Sequence, residues 1–385
     1  MKTIKGLKSI ITKTILLALL ITALIAIAIL KKNSDIAESY TTSFARNYQK
    51  FMGQIASNLP FSISEVLFVI IALITLILLI LIIVDLCKLK FIKAISKTLS
   101  IALMFVITFT WYNVSCELAY NRSSLKLDYY EEKVDKSVFK DIVTYFIDDF
   151  NYCSSMLSYQ ENGEVINPYK DVTLYDMIKQ EYTKLTDDYY SSYTPTPKKM
   201  FLSFLFREFQ ITGLYFAPFG EVNYNKYTTN GELPFTIAHE IAHSKGVMRE
   251  NDAQMVAAYI TLNSSYYYLR YSGYIYTFSS IFSLSYYTGN KDDATELNKL
   301  INDDIKKNES YIYSYWKKHN LLGDIGNWFN DIYLKLSGTW QGTSDYGDTP
   351  IIVDETTHEI TSFSNYQKLY LATYFKNKSL FCLDF

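Results

Sequence analysis

The sequence predicts a mainly α-helical protein, with N-terminal transmembrane helices followed by a mostly helical, zincin-like (α+β) extracytoplasmic domain. Three observations carry this expectation. Apolar residues crowd into three runs before residue 115, whereas the rest of the chain is polar and rich in tyrosine. Beyond residue 116, apolar and charged residues recur at helical spacing. Finally, residues 239–243 read His-Glu-Ile-Ala-His and hold two of the chain's four histidines. With 385 residues, a net charge of −2 and 49% hydrophobic residues, the chain exceeds one average domain and shows no basic excess for nucleic acid.

The first apolar run, about 14–30, just reaches the length that crosses a hydrocarbon core, and the second, 66–84, is charge-free. The third, 99–111, is sparser and extends to about 97–113, with Lys97 and Trp111 as a flanking cation and an interfacial aromatic. Lys2, Lys5, Lys8 and Lys13 resemble the basic start of a signal peptide. The run that follows is too long for one, and it ends at Lys31-Lys32 instead of a small-residue cleavage site, so it reads as a signal anchor. Lysine density is high at the N-terminus and in the second connection (Lys88, Lys90, Lys93, Lys97) and lower along the longer first connection. That bias puts the protein in the cell membrane with a cytoplasmic N-terminus and residues 116–385 outside, on a three-helix anchor of residues 1–115.

Within the external part, 134–156 and 174–185 have helical spacing, 193–198 (YTPTPK) reads as a loop, and 201–209 returns to a helix. Residues 211–224 are β-branched and aromatic, broken by Pro218 and Gly220, and predict one or two short strands leading into the motif helix. In zincins such a strand commonly lies beside the metal helix and pairs with an extended substrate. Pro234 suits the first turn of the motif helix and Gly246 its left-handed stop. A second helix is expected over 251–269, and others over 292–319, 325–337 and 366–375, with 338–347 and 354–362 as loops. Cys87, Cys116, Cys153 and Cys382 are scattered and form no metal pattern, and His319 and His358 are expected to be solvated.

The motif carries the chemistry. Residues four apart on a helix share a face, so His239 and His243 reach one metal ion while Glu240 lies beside a water bound to it. A catalytic zinc site needs a third protein ligand and an open fourth position. The position of a third metzincin histidine is held here by Arg249, which has no acceptor, so that class is excluded. Glu250 and Asp252 remain as candidates, and being two apart on a helix only one of them reaches the metal. Asp252, sharing its face with Val256 and Tyr259, is the preferred one; Glu250 shares its face with Gln254.

The stretches GLYFAPFGEVNYN (213–225), LPFTIAHEIAHSKGVMRENDAQ (233–254) and RYSGY (270–274) resemble a bacterial membrane-protein family catalogued as domain of unknown function 3810. The resemblance implies a gluzincin-like zinc metallopeptidase centred on residues 211–274, and names no substrate. The family's third-ligand position falls on Asp252, which departs from the family's glutamate, as Gln254 departs from its asparagine. Glu221 and Asn223 are candidates either to orient a ligand histidine or to act as turn acceptors. Tyr271 and Tyr274 are candidate donors to a developing oxyanion.

The expected activity is zinc-dependent hydrolysis of a peptide or protein at the outer face of the membrane, with Zn2+ as cofactor and the lipid bilayer as partner. Two alternatives remain: a zinc amidohydrolase acting on cell-wall peptides, and a non-catalytic metal-binding sensor or assembly factor. An intramembrane protease is excluded, because Glu232, Lys245, Arg249 and Glu250 flank the motif.

Overall fold

A computed structural model describes residues 2–122, 127, 129–185, 193–337, 342–346, 348–354 and 360–381. Three helices are long and apolar enough to cross a membrane: α1 (Lys2–Leu30), α4 (Ile63–Cys87) and α5 (Phe91–Cys116). They outrun the apolar runs that announce them, because helix hydrogen bonding continues wherever flanking polar groups find partners. Lys13 lies inside α1 and donates to Ser96 and Ser100 of α5 at 2.6–2.9 Å. Lys97 pairs with Asp85 across the tight connection between α4 and α5.

The connection between α1 and α4 is a folded collar made of α2 (Ser34–Tyr40), a π-helical turn (Thr41–Ala45) and α3 (Arg46–Ser57). Asn33 caps α2 by accepting from the backbone N–H groups of Asp35 and Ile36. The collar is tied to the body formed by the rest of the chain: Gln49 donates to the Ser115 carbonyl at 2.8 Å, Tyr48 to the Pro218 carbonyl at 2.9 Å, and buried Lys31 pairs with Glu117 at 2.6 Å.

That body is mostly helical. Its helices are α6 (Phe139–Ser155), α7 (Asp171–Thr183), α8 (Ser203–Glu208), α9 (Leu233–Ser244), α10 (Glu250–Leu262), α11 (Tyr267–Phe282), α12 (Asp293–Leu300), α13 (Asp303–Lys318), α14 (Gly323–Ser337) and α15 (Asn365–Phe381). The single helix expected over 251–269 breaks before Tyr266, where the Ser264 hydroxyl accepts the Tyr266 N–H and starts α11. The stretch 292–319 likewise breaks at Ile301, whose backbone is extended.

A small sheet has the order β1-β3-β2, with β1 (Lys198–Lys199) parallel and β2 (Gly213–Phe216) antiparallel to β3 (Glu221–Tyr224). Gly220, at φ 58°, turns the chain from β2 into β3. β4 (Ile352–Val353) and β5 (Ile360–Ser362) pair as a second, two-stranded sheet, so the end of the 354–362 segment expected to be loop is a strand held by pairing to β4. Helix α9 is buried along its whole length between β2, α10 and α11. Its apolar members, among them Phe235, Ile237 and Ile241, each contribute about 1.5–3 kcal/mol by leaving water, which holds the motif helix rigidly in the core.

Candidate metal centre

Helix α9 enters with Pro234 in its first turn and the Ser272 hydroxyl accepting the Phe235 N–H at 3.1 Å. It stops at Gly246, φ 78°, where a Cβ would press on Thr41 and Arg46 of the collar at 3.1–3.3 Å. On the face turned to the sheet, the Nε2 atoms of His239 and His243 lie 3.1 Å apart. His243 Nδ1 donates to the Val247 carbonyl at 2.7 Å, which leaves Nε2 as the nitrogen that faces the shared space.

After the Gly246 turn and an extended Arg249, α10 begins with Glu250 pointing back at the two rings. Its Oε2 stands 3.1 Å from His239 Nε2 and 3.4 Å from His243 Nε2. Ligands 2.0–2.1 Å from a tetrahedral zinc ion are about 3.3–3.4 Å apart, so these three distances are close to the edges of one face of that tetrahedron. Two imidazoles and a carboxylate form a donor set that suits zinc, and all three side chains are buried.

Asp252, the preferred third ligand, is not at this centre. Its carboxylate takes the Arg249 guanidinium at 2.8–2.9 Å. The face argument pointed away from the histidines, because the face of α10 shared by Glu250 and Gln254 lines the cleft with them, while Val256 is buried in the core. The position given by the resemblance is the same one, and it points away from the histidines once α10 starts at Glu250.

Glu240 sits beside the trio, with its carboxylate against β2. It fits there only because residue 213 is glycine, since a Cβ at that position would lie 2.6 Å from Glu240 Cγ. Burial, reinforced by Glu250 and opposed by His243, pushes the Glu240 carboxyl up to about 8. Burial disfavours charge on His243, but the Glu250 carboxylate outweighs it and brings the imidazole up to about 9. Glu250 is held well below the usual carboxylate range by the two histidines in spite of its burial. Burial lowers the pKa of His239.

Neither predicted tyrosine reaches the centre. Tyr271 packs against Phe150 and Tyr159, and Tyr274 donates to Asp149 at 2.7 Å. Their places on α11 face α6, and it is Tyr276 that turns to the cleft and stacks on Phe235 at 4.1 Å. Two other tyrosines stand beside the trio: Tyr215 of β2, stacked on His243 at 6.3 Å, and Tyr346, from a segment read as plain loop. The Tyr346 hydroxyl accepts from Asn330 at 3.2 Å and is close enough to feel the charge of Glu250, and its ring lies 6.5 Å from that of His239. Although 36% of the residue is exposed, its hydroxyl end is enclosed, which together with Glu250 pushes its pKa up. No local pattern distinguishes Tyr346 among 35 tyrosines.

Glu221 does not orient a ligand either. It accepts the Ile63 and Ser64 N–H groups at 2.8 Å and pairs with Lys198, locking β3 onto the start of α4. Asn223 donates to the Leu214 carbonyl within the sheet. His319 is not fully solvated, since it pairs with Glu208 at 3.1 Å; His358 and Cys382 lie outside the described residues.

The centre forms the floor of a cleft of about 660 Å³, walled by β2, by Phe206 and Phe209 around α8, by Phe329 of α14, and by Tyr112 of α5. Gln254 also lines it, with a buried Oε1 that has no hydrogen-bond partner among the described residues. A family model described as "Protein of unknown function (DUF3810)" matches residues 40–353. No curated protein and no solved structure matches the chain.

Proposed function

We propose, from the premise that the chain belongs to the DUF3810 family, that it is a membrane-anchored zinc metallopeptidase with a zincin-type core and an extracytoplasmic C-terminal domain. The observation that carries this reading is the meeting of His239, His243 and Glu250 in a cleft, with Glu240 alongside. Three protein donors leave a fourth position for water, which favours catalysis over a closed structural site.

His239, His243 and Glu250 would hold the ion. When bound, it supplies a Lewis acid that polarises the scissile carbonyl and acidifies its water. Glu240, whose carboxylate lies beside the trio, would take a proton from a water at the open position and return it to the leaving amine. Tyr346, at the edge of the cleft beside His239, would donate its phenolic hydrogen to the developing oxyanion. β2 is the edge strand of its sheet, and Gly213, Leu214 and Tyr215 line the cleft, so an extended peptide has a backbone to pair with. The Gln254 amide oxygen is an acceptor available to a substrate N–H.

The test is a comparison of purified wild type and Glu240→Gln protein on a peptide library. The variant is expected to keep about one zinc per chain and to lose at least about a hundredfold in turnover. A Glu240→Gln protein with zinc and full hydrolysis would overturn the reading.

A further inference from the structure

Helix α14 is built inside out for a helix on a water-soluble body. Its polar side is engaged by the protein itself: Asp331 accepts the Thr343 N–H at 3.1 Å, Lys335 pairs with Asp331 at 2.6 Å, and Asn330 bonds Tyr346. Its apolar stripe faces outward. Leu321 just before it, then Ile325, Trp328, Phe329 and Ile332 follow the spacing of one helical face, with Leu321 81%, Trp328 59% and Phe329 61% exposed. Phe201, Phe204 and Leu205 at α8 are exposed as well. The two segments join, since the Leu322 N–H donates to the Glu208 carbonyl at 2.9 Å and Gly326 lies so close to Phe209 that a Cβ would come within 3.1 Å.

The position of this ledge relative to the membrane follows from α4. Its apolar run, 66–84, covers about 28 Å at 1.5 Å per residue, close to the thickness of a hydrocarbon core. The hydrocarbon boundary therefore falls at the first turn of α4, where Glu65 accepts the backbone N–H groups of Phe201 and Leu202 at 2.9 Å. No linker separates the ledge from the spanning helix. In the same turns, Phe68 of α4 packs on Phe216 at 5.3 Å, and the neighbouring Tyr215 stacks on His243.

We infer that the ledge formed by α8 and α14 seats in the interface of the bilayer that α4 crosses, with Phe204, Leu205, Ile325, Trp328 and Ile332 among the acyl chains. The partner is lipid. The stripe carries no excess of either charge, so zwitterionic phosphatidylcholine suffices, and aromatic and aliphatic side chains of this mix are those that embed at the headgroup boundary. Phe329 belongs to both the ledge and the cleft wall, so the cleft opens at the membrane surface. The inference needs only the membrane-spanning part of the reading above and is independent of hydrolysis.

The test uses the full chain, one copy per phosphatidylcholine nanodisc, with Cys87 and Cys382 replaced by serine and single nitroxide labels at Ile325→Cys, Trp328→Cys or Ile332→Cys. Leu76→Cys in the middle of α4 and Lys299→Cys on an exposed turn of α12 serve as references. Collision with oxygen should exceed collision with a water-soluble nickel chelate at 325, 328 and 332, as at 76, with the reverse at 299. Nickel access at the three ledge positions matching that at 299 overturns the inference, and so does low access to both reagents, which means protein covers the stripe. If position 76 also fails to favour oxygen, the spanning assignment falls with it; if only the ledge fails, that assignment stands.

Discussion

Replacing Glu250 by alanine separates the structural assignment of the third ligand from the one the sequence favours. A structural zinc ion held by four ligands is bound with about 10–16 kcal/mol, so one ligand accounts for about 3–4 kcal/mol, or roughly 10²–10³ in affinity. Glu250→Ala removes the carboxylate that stands 3.1 and 3.4 Å from the two histidine nitrogens, and should weaken zinc binding by that factor. Asp252→Ala removes a partly exposed pair with Arg249, worth about 0.2–1 kcal/mol of stability, and should leave zinc affinity unchanged. The assay is competition against a fluorescent zinc chelator on purified protein, with thermal unfolding of the zinc-free forms run alongside to exclude misfolding. If Asp252→Ala loses zinc and Glu250→Ala keeps it, the ligand assignment is refuted, and with it the use of α10's phase to define the site.

Three further outcomes follow from the geometry. Gly213→Ala places a methyl against Glu240 Cγ, and should keep zinc while lowering turnover by about two orders of magnitude as the general base is displaced; unchanged turnover would show that Glu240 does not work from that position. Tyr346→Phe should lower kcat by about ten- to a hundredfold with zinc retained, whereas Tyr274→Phe should leave kcat intact and cost about 1 kcal/mol in stability through its lost bond to Asp149, both read by kinetics and thermal melts. Zinc affinity should rise with pH, by about tenfold per unit below pH 9, because His243 binds a proton up to about 9 in the metal-free site and the ion must displace it. By linkage, the metal-free protein gains stability from that raised pKa fully below the ordinary histidine value and loses it as pH climbs through about 9. Affinity independent of pH between 6 and 9 would contradict the proton count.

The three helices long and apolar enough to cross a membrane and the motif helix were legible in the sequence because their signals are local. A charge-free apolar run is a property of consecutive residues, and two histidines four apart face the same way on any helix. The strands before the motif were legible for the same reason, through their β-branched and aromatic residues broken at Pro218 and Gly220. Gly213, by contrast, reads as an unremarkable strand glycine until Glu240 is seen to fill the space beside it.

What the tertiary structure alone decided are matters of phase and distance. Whether Glu250 or Asp252 meets the histidines depends on how the Gly246 turn and extended Arg249 set the start of α10, and no hydrophobic period records that angle. Tyr346 and Glu250 are far apart along the chain, and the α14 contacts that bring them together leave no trace in either neighbourhood. The stripe on α14 shows the same limit in reverse. A 3.6-residue period states that one face of a helix is apolar, but whether that face meets a protein core or a lipid surface depends on what the rest of the chain places in front of it.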